Sequence, residues 1–351
     1  MIINIFPLGL SFNFVLGGRL YFLGLIFTIV IHFIVYILYF MKFVVSKEIK
    51  KHKENKKPIL ALESTIIAHG MPYPANYVFA KKTEKTCREK GVAPAFIAII
   101  DGEIHIGLND KKLKFICQSK NVLKTAKRDL PFVIAKKQNG ATTVSATAWI
   151  AYKAGIFVFA TGGVGGVHRG AEVSFDISQD LKSLSETPII VISAGAKSIL
   201  DLPKTVETLE TYGVPILGYK TSSFPAFYTR DSKIKIKKNV KTQKEIFSIF
   251  TEHQKLGLSS SVLVVNPIPK KNEIPSNKIN SFISDAICEA KKKHILGKEL
   301  TPFLLKKIVE KTGGDSLKAN VSLALNNVKL GVKIAKKVAP YNRTRLGDNS
   351  E

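Results

Sequence analysis

Short apolar runs at 59–62, 95–100, 156–160, 188–193, 214–219 and 261–266 each fit one buried strand and are too short for an ordinary helix. Between them, 78–90 and 142–153 read as helices. This alternation predicts an α/β fold, an α/β/α layered domain with a mostly parallel or mixed central sheet. A lysine-rich, weakly patterned stretch at 231–245 interrupts the rhythm. From Lys278 onward the chain reads as helices broken near Gly297 and at Gly313 and Gly314.

The N-terminal part follows a different pattern. Residues 20–41, LYFLGLIFTIVIHFIVYILYFM, carry no charged side chain over 22 positions. As a helix they would span about 33 Å, the thickness of a bilayer core. The run exceeds a signal-peptide core and no small-residue cleavage site follows it, so the expectation is a hydrophobic N-terminal helix at about 20–45 acting as a membrane anchor. Seven lysines between 42 and 57, against Arg19 alone before the run, would keep the following domain intracellular, on the cytosolic side. A processed, organelle-directing segment is the alternative. Within the N-terminal segment 1–57, residues 46–57 read as a solvated linker; 58–340 read as the catalytic domain and 341–351 as a polar tail.

Composition narrows the function. The chain has 351 residues, a formal net charge of +26 and 45% hydrophobic residues, which is globular rather than disordered. Its Lys and Arg residues are dispersed and lack an aromatic-interleaved recognition pattern, so no nucleic-acid partner is expected. The three cysteines show neither disulfide nor zinc spacing.

Candidate chemistry concentrates at 160–201, ATGGVGGVHRGAEVSFDISQDLKSLSETPIIVISAGAKSILD. Its glycines would let backbone N–H groups approach an anion and adopt positive φ, and His168 and Arg169 add positive charge. Lys197 follows an apolar strand where open α/β sheets place ligands, among small residues that would limit its solvation. Taken alone, Lys197 reads equally as a surface lysine opening a helix, Glu63 as a carboxylate at a helix N-terminus, Asp176 as an Asx turn and Ser178 as a helix cap. Lys124 reads equally as solvated, Val144 as core and His69 as a structural histidine.

Several long motifs in one order settle more than any single loop. ALESTIIAHGMPYP at 61–74, KRDLPFVIA at 127–135, NGATTV at 139–144, the 160–201 stretch, LETYGVPILGYKT at 209–221, FPAFYTR at 224–230, NPIP at 266–269 and GKELTPFLLKKIVEKTGGDSLKAN at 297–320 together resemble the pseudouridine-5′-phosphate glycosidases, the indigoidine synthase A-like family. The resemblance implies reversible cleavage of pseudouridine 5′-phosphate to uracil and ribose 5-phosphate. It further implies Lys197 as nucleophile, Glu63 as proton donor and Asp176 holding Mn²⁺ or another divalent cation such as Mg²⁺. Lys124, Val144, Ser178, Gln179 and Asp180 match substrate-contact positions, and Thr161, His168 and Asn320 sit in matching motifs. A homotrimer is implied as well. Alternatives are a Schiff-base lyase on another C-linked sugar phosphate and a membrane-tethered binding protein without turnover.

Overall fold

The computed structural model describes residues 2–5, 10–13, 43–295 and 297–339. Two units separate, Met1–Lys42 and Phe43–Glu351. In the first, β1 (Ile2–Ile5) and β2 (Leu10–Asn13) pair antiparallel. The anchor expected at 20–45 lies largely outside the described residues, as does the tail at 341–351. Among the described residues no helix is long and apolar enough to cross a membrane.

The second unit opens earlier than residue 58. β3 (Phe43–Val45) pairs in parallel with β6 (Glu103–Ile106). The helix Lys47–Glu54 follows, capped by the Ser46 hydroxyl, which accepts from the Ile49 N–H at 3.3 Å. Ile49 is fully buried. The expected linker at 46–57 is therefore mostly helix, because one apolar residue among lysines is enough to dock a short helix.

The remaining strands are β4 (Ile59–Glu63), β5 (Ala93–Ile100), β7 (Val122–Thr125), β8 (Asn139–Thr142), β9 (Val158–Ala160), β10 (Ile190–Ser193), β11 (Ile216–Tyr219), β12 (Asn239–Val240) and β13 (Val262–Val265). They form an eleven-stranded sheet in the order β12-β11-β13-β10-β9-β4-β5-β6-β3, with β8 on β5 and β7 on β8. Pairing is parallel except where β5 meets β6 and β8. The sheet is thus mixed, and its apolar centre matches the pattern of the sequence: all eight residues of β5 are buried, as a central strand covered on both faces requires.

The helix Asp315–Val338 closes one face. At Gly331 a Cβ would come within 2.9 Å of Leu60 Cδ1 and 3.2 Å of the Ala160 Cβ, so the glycine sets how closely this helix approaches β4 and β9.

Candidate active site

The chain leaves β4 towards β5 on one side and later leaves β9 towards β10 on the other, making the β4–β9 boundary a topological switch point. Crevices outside the carboxyl ends of such strands are where α/β sheets bind ligands. Glu63 ends β4, Thr161 follows β9 and Lys197 lies in the loop after β10. Lys124 sits in β7, and Val144 opens the helix Val144–Lys153 after β8.

Two loops are stitched together here. Ala194 N–H donates to Gly162 O at 2.8 Å, Val164 N–H to Gly195 O and Lys197 N–H to Val164 O, both at 3.1 Å, and Asp201 N–H to Val167 O at 2.9 Å. Lys197 is therefore held on a loop, and the next helix, Leu202–Thr211, starts only beyond Asp201, its N-cap. Gly195 has φ of 78°, and a Cβ there would collide with the Pro225 carbonyl.

The glycines of 162–166 are not explained by left-handed backbone. None has positive φ. They admit neighbouring side chains instead: a Cβ would strike the Phe227 ring at Gly163, Ser178 and Asp180 at Gly165, and Thr205 at Gly166. Several loop N–H groups are already committed: Gly165 N–H donates to Asp180 Oδ2 at 2.8 Å, Val167 N–H to Thr205 Oγ1 at 3.0 Å and His168 N–H to Asp176 O at 3.0 Å.

The crevice has two lobes. The first is lined by Lys124, Arg128, Val144, His168, Asp176, Ser178, Gln179 and Asp180, and is rich in polar and cationic groups. The second is more apolar, walled by Ile66, Phe227, Pro302 and Leu305, with His69 and Asn320 as polar groups. Glu63, Thr65, Lys124, Lys197 and Thr301 line both. Lys197 is half-buried, and its ammonium makes no hydrogen bond or ion pair among the described residues.

Burial dominates the electrostatics. Glu63 is 6% exposed. Desolvation raises its pKa to about 7 against the opposing pull of the Lys197 charge and the Thr161 hydrogen bond. Burial, then the Lys197 charge, pushes Lys124 down to about 8. Burial also lowers His69 and His168, the latter opposed by Asp176, whose Oδ2 lies 3.9 Å from His168 Nδ1.

The other expected residues divide by role. Asp180 accepts from Gly165 N–H and, at 2.9 Å, from Ser145 N–H, so it fastens loop to helix while forming part of the lining. Ser178 caps the helix Gln179–Glu186 by accepting from Asp180 N–H at 3.2 Å, the cap anticipated from its residue type, and also lines the first lobe. Gln179 Oε1 accepts from Arg128 N–H at 3.0 Å and holds the 126–129 turn. The Thr161 hydroxyl donates to Glu63 Oε1, and Thr161 lines neither lobe. Asn320 is buried at the second lobe with Oδ1 unpartnered, as is His69 Nε2. Arg128, Thr65 and Thr301 are site-lining residues that the sequence reading does not single out; each is visible only as part of a motif, at 127–135, 61–74 and 297–320.

Among the described residues no three His, Cys, Asp or Glu side chains gather as a metal cage. Asp176, part-exposed in the first lobe, is a hard-oxygen donor. One such carboxylate fits a Mn²⁺ or Mg²⁺ ion that keeps most of its shell as water and phosphate oxygens.

Comparison with known proteins points one way. The sequence model described as indigoidine synthase A like protein matches residues 48–337. A pseudouridine-5′-phosphate glycosidase of Petrotoga mobilis is 53% identical over 292 residues, 83% of this chain and 95% of that protein. The Escherichia coli protein of that name is 49% identical over 293 residues, covering 83% and 94%. A solved indigoidine synthase A-like protein from Thermotoga maritima superposes with a TM-score of 0.76 at 38% identity, covering 81% of this chain and 94% of that one. A prealnumycin C-glycosynthase in complex with ribulose 5-phosphate gives 0.78 at 32% identity, covering 86% and 98%.

Proposed function

The chain belongs to the indigoidine synthase A-like family, and from that membership we propose that it cleaves pseudouridine 5′-phosphate reversibly to uracil and ribose 5-phosphate, in pseudouridine breakdown. The observation that carries the reading is the meeting of Lys197, unpaired, with the buried Glu63 carboxyl where the two lobes join. In this reading the first lobe takes the sugar phosphate, with Lys124, Arg128 and His168 near the phosphate, and the second takes the uracil.

The bond to be broken joins two carbons, so protonating an oxygen leaving group is not enough. A covalent lysine adduct meets that difficulty. Glu63 gives a proton to the ring oxygen as the ribose opens, and the Lys197 amine adds at C1′. The bond from C1′ to uracil C5 then breaks as C5 gains a proton, leaving an imine. Water hydrolyses the imine to ribose 5-phosphate and the free amine. A carboxyl titrating at about 7 serves both directions of proton transfer at neutral pH. A divalent ion held by Asp176 would supply charge neutralisation for the phosphate.

Likeness to a protein solved with ribulose 5-phosphate favours the sugar-phosphate end of this reading more strongly than the choice of base. A panel of C-linked sugar phosphates varying the base tests that choice. A homotrimer, and retention on a membrane through the uncharged run at 20–41, complete the reading. Light scattering tests the first, and detergent dependence of extraction tests the second.

The decisive test is uracil release from pseudouridine 5′-phosphate with Mn²⁺ present or chelated. Wild-type protein should release uracil with Mn²⁺ and lose activity on chelation, Lys197→Ala should release none, and borohydride should trap a sugar adduct on Lys197. Absence of release from folded, metal-loaded protein overturns the assignment.

A further inference from the structure

We infer that Thr161 is the positioning residue of Glu63: its hydroxyl fixes the carboxyl in one orientation and determines which oxygen exchanges the catalytic proton. The inference rests on the reading of Glu63 as the proton donor and extends it to a residue that does not line the substrate crevice.

Strand register brings the pair together. In the parallel pairing of β4 with β9, Ala61 faces Phe159 and Leu62 faces Ala160. One step further along the same register stand Glu63 and Thr161, neighbours at the ends of adjacent strands on one side of the sheet. Thr161 Oγ1 donates to Glu63 Oε1, and among the described residues no other hydrogen bond reaches that carboxyl.

The donor is itself held. Thr161 N–H donates to Ile192 O at 2.9 Å, Asn327 Nδ2 donates to Thr161 O at 2.8 Å, and Asn266 Nδ2 donates to Asn327 Oδ1 at 3.0 Å. Behind the pair the walls are mostly apolar, formed by Leu62, Phe79, Phe96, Ala160, Ala324 and Val328, with the buried Thr83 hydroxyl as a polar group that makes no hydrogen bond to Glu63. With Oε1 occupied as acceptor, Oε2 is the oxygen that carries the proton of the neutral acid. Charges that bear on Glu63 come from Lys197, Asp180 and Lys124, on three different elements, and replacing Thr161 leaves all three in place.

The test compares Thr161→Val, nearly isosteric but without the donor, and Thr161→Ser, which keeps it, in the full-length protein. Infrared or ¹³C carboxyl titration, with Glu63→Gln identifying the Glu63 signal, reads the effect without turnover. Loss of the donor removes a hydrogen bond that favours the ionised form, so the Glu63 midpoint should rise by about one pH unit. The alkaline limb of uracil release should move up with it, and kcat at pH 7 should fall by about tenfold or more at unchanged KM. Thr161→Ser should restore both. If Thr161→Val does not fold, Thr161→Ala replaces it in the same comparison. An unmoved Glu63 midpoint, or a raised KM at unchanged kcat, overturns the inference. A shifted midpoint in a protein without uracil release would uphold the positioning role and overturn the assigned reaction instead.

Discussion

Glu63 carries a carboxyl that folding keeps largely out of water, and that has a thermodynamic signature. Its pKa is raised from 4.5 to about 7, so between those values the folded state binds more protons than the unfolded. Stability should fall as pH rises through that window, by of the order of 2–3 kcal/mol, and level off above it. Denaturant melts from pH 4.5 to 8 should show the decline, and Glu63→Gln should flatten it. Lys124 has the opposite electrostatic problem. Pushed down to about 8, it loses its charge as pH rises past that value, so KM for a phosphorylated substrate should climb above pH 8. Lys124→Arg should suppress the climb, read from KM at pH 7 and 9. Sequence motifs named Glu63 and Lys197, and the family resemblance added Lys124, but neither gave the bond from Thr161 to Glu63. That bond depends on the register between strands about a hundred positions apart, which no local pattern encodes.

The short loop from β9 to Asp176 shows why glycine content is ambiguous. Five glycines at 162–170 read as an anion cradle, and four of them also make room for Phe227, Ser178, Asp180 and Thr205 or contact the second lobe. What fastens the loop is Asp180, with one oxygen on the Gly165 N–H and the other on the Ser145 N–H. Asp180→Ala leaves both donors buried without that acceptor and should cost about 2–4 kcal/mol and raise KM, whereas Asp180→Asn should cost less. Thermal melts paired with steady-state kinetics distinguish the two. The wholly apolar or nearly apolar strands were legible because burial on both faces leaves continuous runs. Short or partly polar strands such as β7 and β8 were not, since LK and NG positions carry no period of two.

At the scale of the whole chain, the boundary of the folded unit was the least legible feature. Polar residues surround Ile49 so densely that 46–57 reads as linker, yet β3 covers the β6 edge and the following helix packs on β4 and β5. A fragment beginning at residue 58 should melt several degrees below one beginning at residue 43 and expose a strand edge prone to association, measurable by calorimetry and light scattering. The crevice itself divides labour across the chain. Groups meeting at the reacting centre come from the ends of β4 and β7 and from the loop after β10, whereas Pro302, Leu305 and Asn320, which line only the second lobe, come from the two C-terminal helices Leu300–Lys311 and Asp315–Val338. Such a partition makes the scaffold evolvable. On the proposed reading, drift in the C-terminal helices away from Thr301 can retune which ring is released or attached while Lys197, Glu63 and Lys124 stay under separate selection.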